Sequence, residues 1–191
     1  MLTLVLASAS PRRRELLAQI GVTFSVAPVD IDETPLADES ARDYVLRLAQ
    51  EKALAGFQCT EGLPVLGSDT TVTVDGQILG KPLDRADATS MLQRLSGRTH
   101  QVMTAIALAT VNGVYARVVT TQVTFRVLSM EECERYWDTE EPCDKAGGYG
   151  IQGLGAVFVT NIQGSYTGVV GLPLCETAEL LTRAGLQVWQ K

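Results

Sequence analysis

Apolar residues follow two rhythms along this chain. Leu4-Val5-Leu6-Ala7 is a short unbroken apolar run, the pattern of a buried strand. It leads into Ser10-Pro11, a favourable N-cap and first helical residue, after which Leu16, Leu17 and Ile20 continue at helical spacing as far as Gly21. Residues 23–27 read as a second strand and 28–39 as a loop carrying Asp30-Ile31-Asp32-Glu33. Ser40 starts a helix to about Ala55, with Asp43 as capping partner and Gly56 beyond its end. Residues 64–68 form a buried strand that closes at Asp69.

A hairpin follows, with Asp75-Gly76 as its two-residue turn. Residues 84–96 make a helix with Ala88, Met91, Leu92 and Leu95 inward and Gly97 at its end. A longer hairpin turns at Asn112-Gly113, and Ser129 and Glu132 open a short helix to Trp137. A glycine-rich loop over 147–155 precedes a strand at 156–159, and a helix from Leu174 to Arg183 ends the fold. Helices alternate with strands, yet two hairpins demand antiparallel pairing. The expected architecture is therefore α/β: a mixed, strongly twisted sheet with helices packed on it, in two lobes around a central cleft.

At 191 residues, 46% of them hydrophobic, the chain suits one domain spanning 1–191. A net charge of −6 argues against a general nucleic-acid surface, so any anion site must be a local gathering of cations. Cys59, Cys133, Cys143 and Cys175 show no C-x-x-C spacing, which points to reduced thiols rather than a zinc site. No stretch reaches the length of a membrane span, and the start lacks the layout of a signal peptide. The expected location is the cytoplasm.

Charge at unexpected places changes the picture. Arg12, Arg13 and Arg14 occupy the first turn of a helix, opposing its dipole. Arg13 shares the apolar stripe and Arg12 flanks it, whereas Arg14 points away. A basic helix start of this kind either stays solvated or closes around an anion with the free N–H groups. Lys52 interrupts the apolar stripe of Val45 and Leu48, so it either snorkels to solvent or reaches a pocket. Asp69 ends a buried strand, where a carboxylate can hold a metal, accept a proton from water or make an Asx turn. Lys81 is held between Gly80 and Pro82. Glu33 and its acidic neighbours are either hard-cation ligands or a solvated loop.

Several chemistries drop out. His100 is the sole histidine, expected to be structural or on the surface, and there is no G-x-S-x-G elbow or P-loop. Gly148-Tyr149-Gly150-Ile151-Gln152-Gly153 matches G-x-G-x-x-G by letter but lacks the flanking strand and helix of a dinucleotide site. What remains is Arg12, Arg13, Lys52 and Lys81 against Glu33 and Asp69, a set suited to metal-assisted hydrolysis of a polyphosphate.

Taken in order, the segments from Leu4 to Arg13, Val29-Asp30-Ile31-Asp32-Glu33, Leu48 to Ala53, Gly67-Ser68-Asp69-Thr70, Gly80-Lys81-Pro82, Lys145 to Gly153 and Gly171-Leu172-Pro173-Leu174 resemble the Maf family of nucleoside triphosphate pyrophosphatases. The resemblance implies hydrolysis of the α–β phosphoanhydride with a divalent metal, Mg or Mn, in a homodimer that binds neither nucleic acid nor membrane. It implies that Asp69 is the proton acceptor and a metal ligand with Glu33. It also implies that Ser8, Arg13, Lys52 and Lys81 surround the triphosphate. Arg12, Thr70 and Gln152 are similar to the set in members acting on dTTP and UTP. Ser68 stands where some members have alanine. A nucleotide-binding regulator of cell division without catalysis is the alternative.

Overall fold

The computed structural model describes residues 4–190. Its seven strands are β1 (Leu4–Leu6), β2 (Phe24–Val26), β3 (Val65–Val74), β4 (Gln77–Leu79), β5 (Thr99–Thr110), β6 (Gly113–Phe125) and β7 (Val159–Gln163). They are hydrogen-bonded in the order β2-β1-β3-β5-β6-β7, with β4 paired to β3. Parallel and antiparallel pairs coexist, as the alternation of helices and hairpins requires. The helices are α1 (Pro11–Gln19), α2 (Ala41–Gln58), α3 (Arg85–Leu95), α4 (Met130–Trp137), α5 (Tyr166–Val170) and α6 (Leu174–Arg183). None of the helices is long and apolar enough to cross a membrane.

The chain divides into two compact units. The first draws on Met1–Asp69, Thr104–Val119 and Gly171–Lys191, the second on Thr70–Met103 and Thr120–Val170.

In the first unit, β1 lies between β2 and β3 and pairs in parallel with both. All of β1 is buried, which explains its unbroken apolar run. Ser10 caps α1 by accepting the Arg13 N–H, and Leu16 and Leu17 are the buried face. Ser40 caps α2, whose Val45, Leu48, Ala49 and Ala53 are buried. The helix does not stop before Gly56 as expected but continues to Gln58. Gly56 has a packing role instead, since a Cβ there would lie 2.8 Å from the Val65 side chain. Gly67 of β3 is tighter still: a Cβ would lie 2.6 Å from the Ala53 backbone nitrogen. The backbones of β3 and α2 meet at that point.

Asp69 does not close its strand. β3 runs on through Thr70, Thr71 and Thr73, β-branched residues that suit extended backbone. The parallel pairing to β1 ends at Leu66, however, so Asp69 still lies beyond the carboxyl edge of the parallel strands.

In the second unit, β3 turns into β4 with Val74 opposite Gln77. Asp75 and Gly76 have φ of 53° and 73°, the left-handed pair that a tight hairpin needs. α3 packs on α4, and a complete capping box of Ser129 and Glu132 opens α4. The strand expected at 156–159 is a 3-10 turn over Leu154–Phe158, and β7 starts only at Val159. The Leu154 and Gly155 N–H groups are taken by the Glu141 carboxylate, which removes them from any ladder. α5 has no counterpart in the sequence reading because Gly168, Val169 and Val170 are poor helix formers. The Ser165 hydroxyl compensates by accepting the Gly168 N–H.

Candidate functional site

The first unit builds its polar centre from three elements. Lys52 lies on the buried face of α2, two turns after Val45. Its side chain does not snorkel: the residue is 9% exposed and Nζ lies 2.7 Å from Asp69 Oδ1 and 2.7 Å from Glu33 Oε1. One ammonium thus sits between a buried carboxylate of β3 and a half-exposed carboxylate of the 27–40 loop. Burial pushes the Asp69 carboxyl above its ordinary range, while Lys52 and then Arg13 pull it back down. A carboxyl held that way is a better proton acceptor than a solvated one.

Arg13 is partly buried, and Arg14 is exposed, in keeping with the stripe argument. Burial holds the Arg13 guanidinium below its ordinary value; the charges of Asp69 and Glu33 oppose that, and Arg12 reinforces it. The Arg13 Nε donates to the Gly171 carbonyl at 2.9 Å, and Nη1 reaches the Ser8 hydroxyl at 3.3 Å. Ser8 also accepts the Ser10 N–H. Its place in the turn between β1 and α1 gave no signal from spacing; only the family resemblance singled it out.

Three further groups escaped the sequence reading. The Ser68 hydroxyl is buried and donates to the same Gly171 carbonyl at 3.0 Å, so serine at this position is used. Gly171 itself contributes only a backbone oxygen, which no side-chain pattern reveals. Tyr44 on α2 donates its hydroxyl to the Glu33 carbonyl at 3.0 Å. Burial, with the charges of Asp69 and Glu33, raises the Tyr44 phenol. Arg47, one turn after Tyr44, donates to the Thr34 carbonyl and forks onto Glu39 at 2.7 and 2.8 Å. The acidic segment is therefore held against α2 rather than solvated. Asp32 turns away and accepts the Thr34 N–H.

Ser8, Arg13, Glu33, Lys52 and Asp69 are thus linked within the first unit, which also holds the half-buried Arg12. Thr70, Lys81 and Gln152 belong to the second. There, Thr70 is half-buried on β3 and Lys81 is exposed directly after Gly80, whose carbonyl accepts the Gly147 N–H at 3.0 Å. Gln152 is exposed in a turn closed by the Gly153 N–H on the Gly150 carbonyl. His100 is buried and bonded through Nε2 to the Tyr149 hydroxyl at 2.8 Å, a structural role. The four cysteines are free thiols.

Among the described residues, no three His, Cys, Asp or Glu side chains converge as a metal site would require. Two do: Glu33 and Asp69 meet on one nitrogen. Two hard carboxylates fit a small divalent cation that draws its remaining ligands from phosphate and water.

Comparison with known proteins gives consistent results. The family model "Maf-like protein" matches residues 3–184. A dTTP/UTP pyrophosphatase of Hahella chejuensis is 53% identical over 189 residues, covering 97% of this chain and 94% of that protein. One from Vibrio vulnificus is 58% identical over 179 residues, covering 93% and 96%. One from Saccharophagus degradans is 56% identical over 191 residues, covering 98% and 91%. Among solved structures, a HAM1 protein from Coxiella burnetii shares the fold at a TM-score of 0.50 and 18% identity, covering 96% of this chain and 100% of that one.

Proposed function

From the premise that this chain belongs to the Maf-like protein family, we propose that it hydrolyses dTTP and UTP to the nucleoside monophosphate and pyrophosphate. That it is a nucleoside triphosphate hydrolase follows from relatives matched at 53–58% identity over nearly their whole length. The observation that carries the assignment of residues is the Lys52 ammonium bridging Asp69 and Glu33.

In this reading Asp69 orients a water against the α-phosphorus and takes its proton. The new phosphorus–oxygen bond forms as the bond to the α–β bridging oxygen breaks, and pyrophosphate leaves with the electron pair. Arg13, Lys52 and Lys81 neutralise the charge that grows on it. Glu33 and Asp69 are the residues that would hold Mg²⁺ or Mn²⁺, which when bound shields the phosphate charge. Lys52 exchanges part of its contact with the two acids for phosphate oxygens. Ser8 supports Arg13, as their hydrogen bond shows.

Arg12, Thr70 and Gln152 select the base. The Gln152 carboxamide offers one donor and one acceptor, the complement of a uracil or thymine edge. The reading extends to a single domain acting as a cytoplasmic homodimer, an extension supported by the family resemblance.

The test is pyrophosphate release across the common nucleoside triphosphates with and without divalent metal. dTTP and UTP are expected to lead, and metal removal to abolish release. Nucleotide binding with no pyrophosphate from any nucleotide would replace this reading with that of a regulator.

A further inference from the structure

The turn that presents Gln152 is built around a carboxylate that takes no part in the proposed chemistry. Glu141 accepts three hydrogen bonds: from the Tyr136 hydroxyl at 2.6 Å, the Leu154 N–H at 2.8 Å and the Gly155 N–H at 3.0 Å. The Tyr136 oxygen in turn accepts the Gly150 N–H at 3.0 Å. Backbone on both sides of Gln152 is therefore tied to one side-chain pair. The chain fits so closely that a Cβ on Gly153 would fall inside the Glu141 carboxylate, and one on Gly150 would lie 2.9 Å from the Lys145 side chain. Just upstream, Tyr149 is held by His100 and packs edge-on against Phe125 with centroids 4.7 Å apart. Gln152 stands exposed at the tip of this anchored segment.

We propose that Tyr136 and Glu141 are positioning residues for base recognition, holding the 150–155 segment so that the Gln152 carboxamide meets a nucleobase edge in one orientation. This deepens the function proposed above and rests on its reading of Gln152. The physical reason is the near symmetry of a carboxamide. Its oxygen and nitrogen ends have almost the same shape and interchange by a half-turn. Uracil and thymine present a carbonyl acceptor beside a ring N–H donor. Cytosine presents an amino donor beside a ring acceptor. A glutamine on a loose segment serves either edge, whereas one on an anchored segment separates them.

The experiment compares kcat/KM for UTP and CTP in the wild-type protein and in Tyr136→Phe, Glu141→Gln and Gln152→Glu. Tyr136→Phe deletes only the hydroxyl and keeps the ring against Phe158, where the centroids are 4.9 Å apart. Wild type is expected to favour UTP. Tyr136→Phe and Glu141→Gln are each expected to lower the UTP/CTP ratio about tenfold, the worth of one lost oriented hydrogen bond. The loss appears mainly in KM, and amide exchange at Leu154 and Gly155 quickens in Glu141→Gln. A merely structural clamp would lower thermal stability and both activities together, leaving the ratio unchanged. An unchanged ratio in Tyr136→Phe and Glu141→Gln, with a shifted ratio in Gln152→Glu, overturns the inference alone. An unchanged ratio in all three removes Gln152 as base reader and the inference with it. Absence of pyrophosphate release in wild type overturns the proposed function itself.

Discussion

The Lys52 Nζ lies 2.7 Å from Asp69 Oδ1 with both residues buried, and the second contact of that nitrogen is to Glu33. The Asp69 carboxyl, raised by burial and lowered again by this ammonium, is the group best placed to take a proton from water. Asp69→Asn keeps the shape but removes the base. Turnover at saturating nucleotide and metal is expected to fall about a hundredfold or more. Melting of the variant checks that it is folded. Wild-type turnover in that variant would end the assignment of Asp69.

Removing the ammonium has a different effect. Lys52→Met leaves the Asp69 carboxylate buried without its closest partner. Breaking a buried pair from one side typically costs about 3 kcal/mol or more. Urea unfolding is expected to show a loss of that order, together with loss of pyrophosphate release. A double variant with Asp69→Asn should recover part of the stability and none of the activity.

His100 makes stability depend on pH. Burial lowers its pKa to about 4 from its ordinary 6.5. The folded protein therefore keeps the ring neutral where the unfolded chain already binds a proton. The stabilisation is complete above about pH 6.5 and is lost progressively as pH falls to about 4. Its upper bound is about 3 kcal/mol. Urea midpoints between pH 7 and pH 4 measure it. His100→Gln, with no titrating ring, is expected to flatten that part of the curve.

Gly67→Ala would force a methyl group onto the α2 backbone, 2.6 Å from the Ala53 nitrogen and 3.1 Å from its Cα. Overpacking of this kind typically costs about 1–3 kcal/mol. Because α2 carries Lys52 and β3 carries Asp69, activity is expected to fall further than the loss of stability explains. Normal turnover in a destabilised variant would show that the two charges do not depend on this contact.

Much of this was legible beforehand, for reasons that differ by residue. Arg13 and Lys52 announced themselves because a cation on an apolar stripe has to be answered by something polar, and Ser8, Gly171, Asp69 and Glu33 supply the answers. The caps of α1, α2, α3 and α4 were readable from Ser10, Ser40, Asp84 and Ser129, because capping is local chemistry. Gly56 misled because a helix-ending glycine and a glycine that admits a neighbouring strand look alike in one dimension. The 154–158 turn was misread because what displaces a strand there is Glu141, more than ten residues away. The Gly171 carbonyl and the hold of Tyr44 on Glu33 involve backbone oxygens, which leave no mark on a sequence.

The bare position at Gly67 has a wider consequence. Main chain resting on main chain acts as a ruler, and rulers of that kind do not change length when the surrounding aliphatic groups are exchanged. Drift at Val45, Leu48 or Leu66 can alter how tightly the interior is filled while the spacing of acid and ammonium is inherited intact. Lineages of this enzyme are therefore free to vary their interior widely, so long as that one residue stays without a side chain.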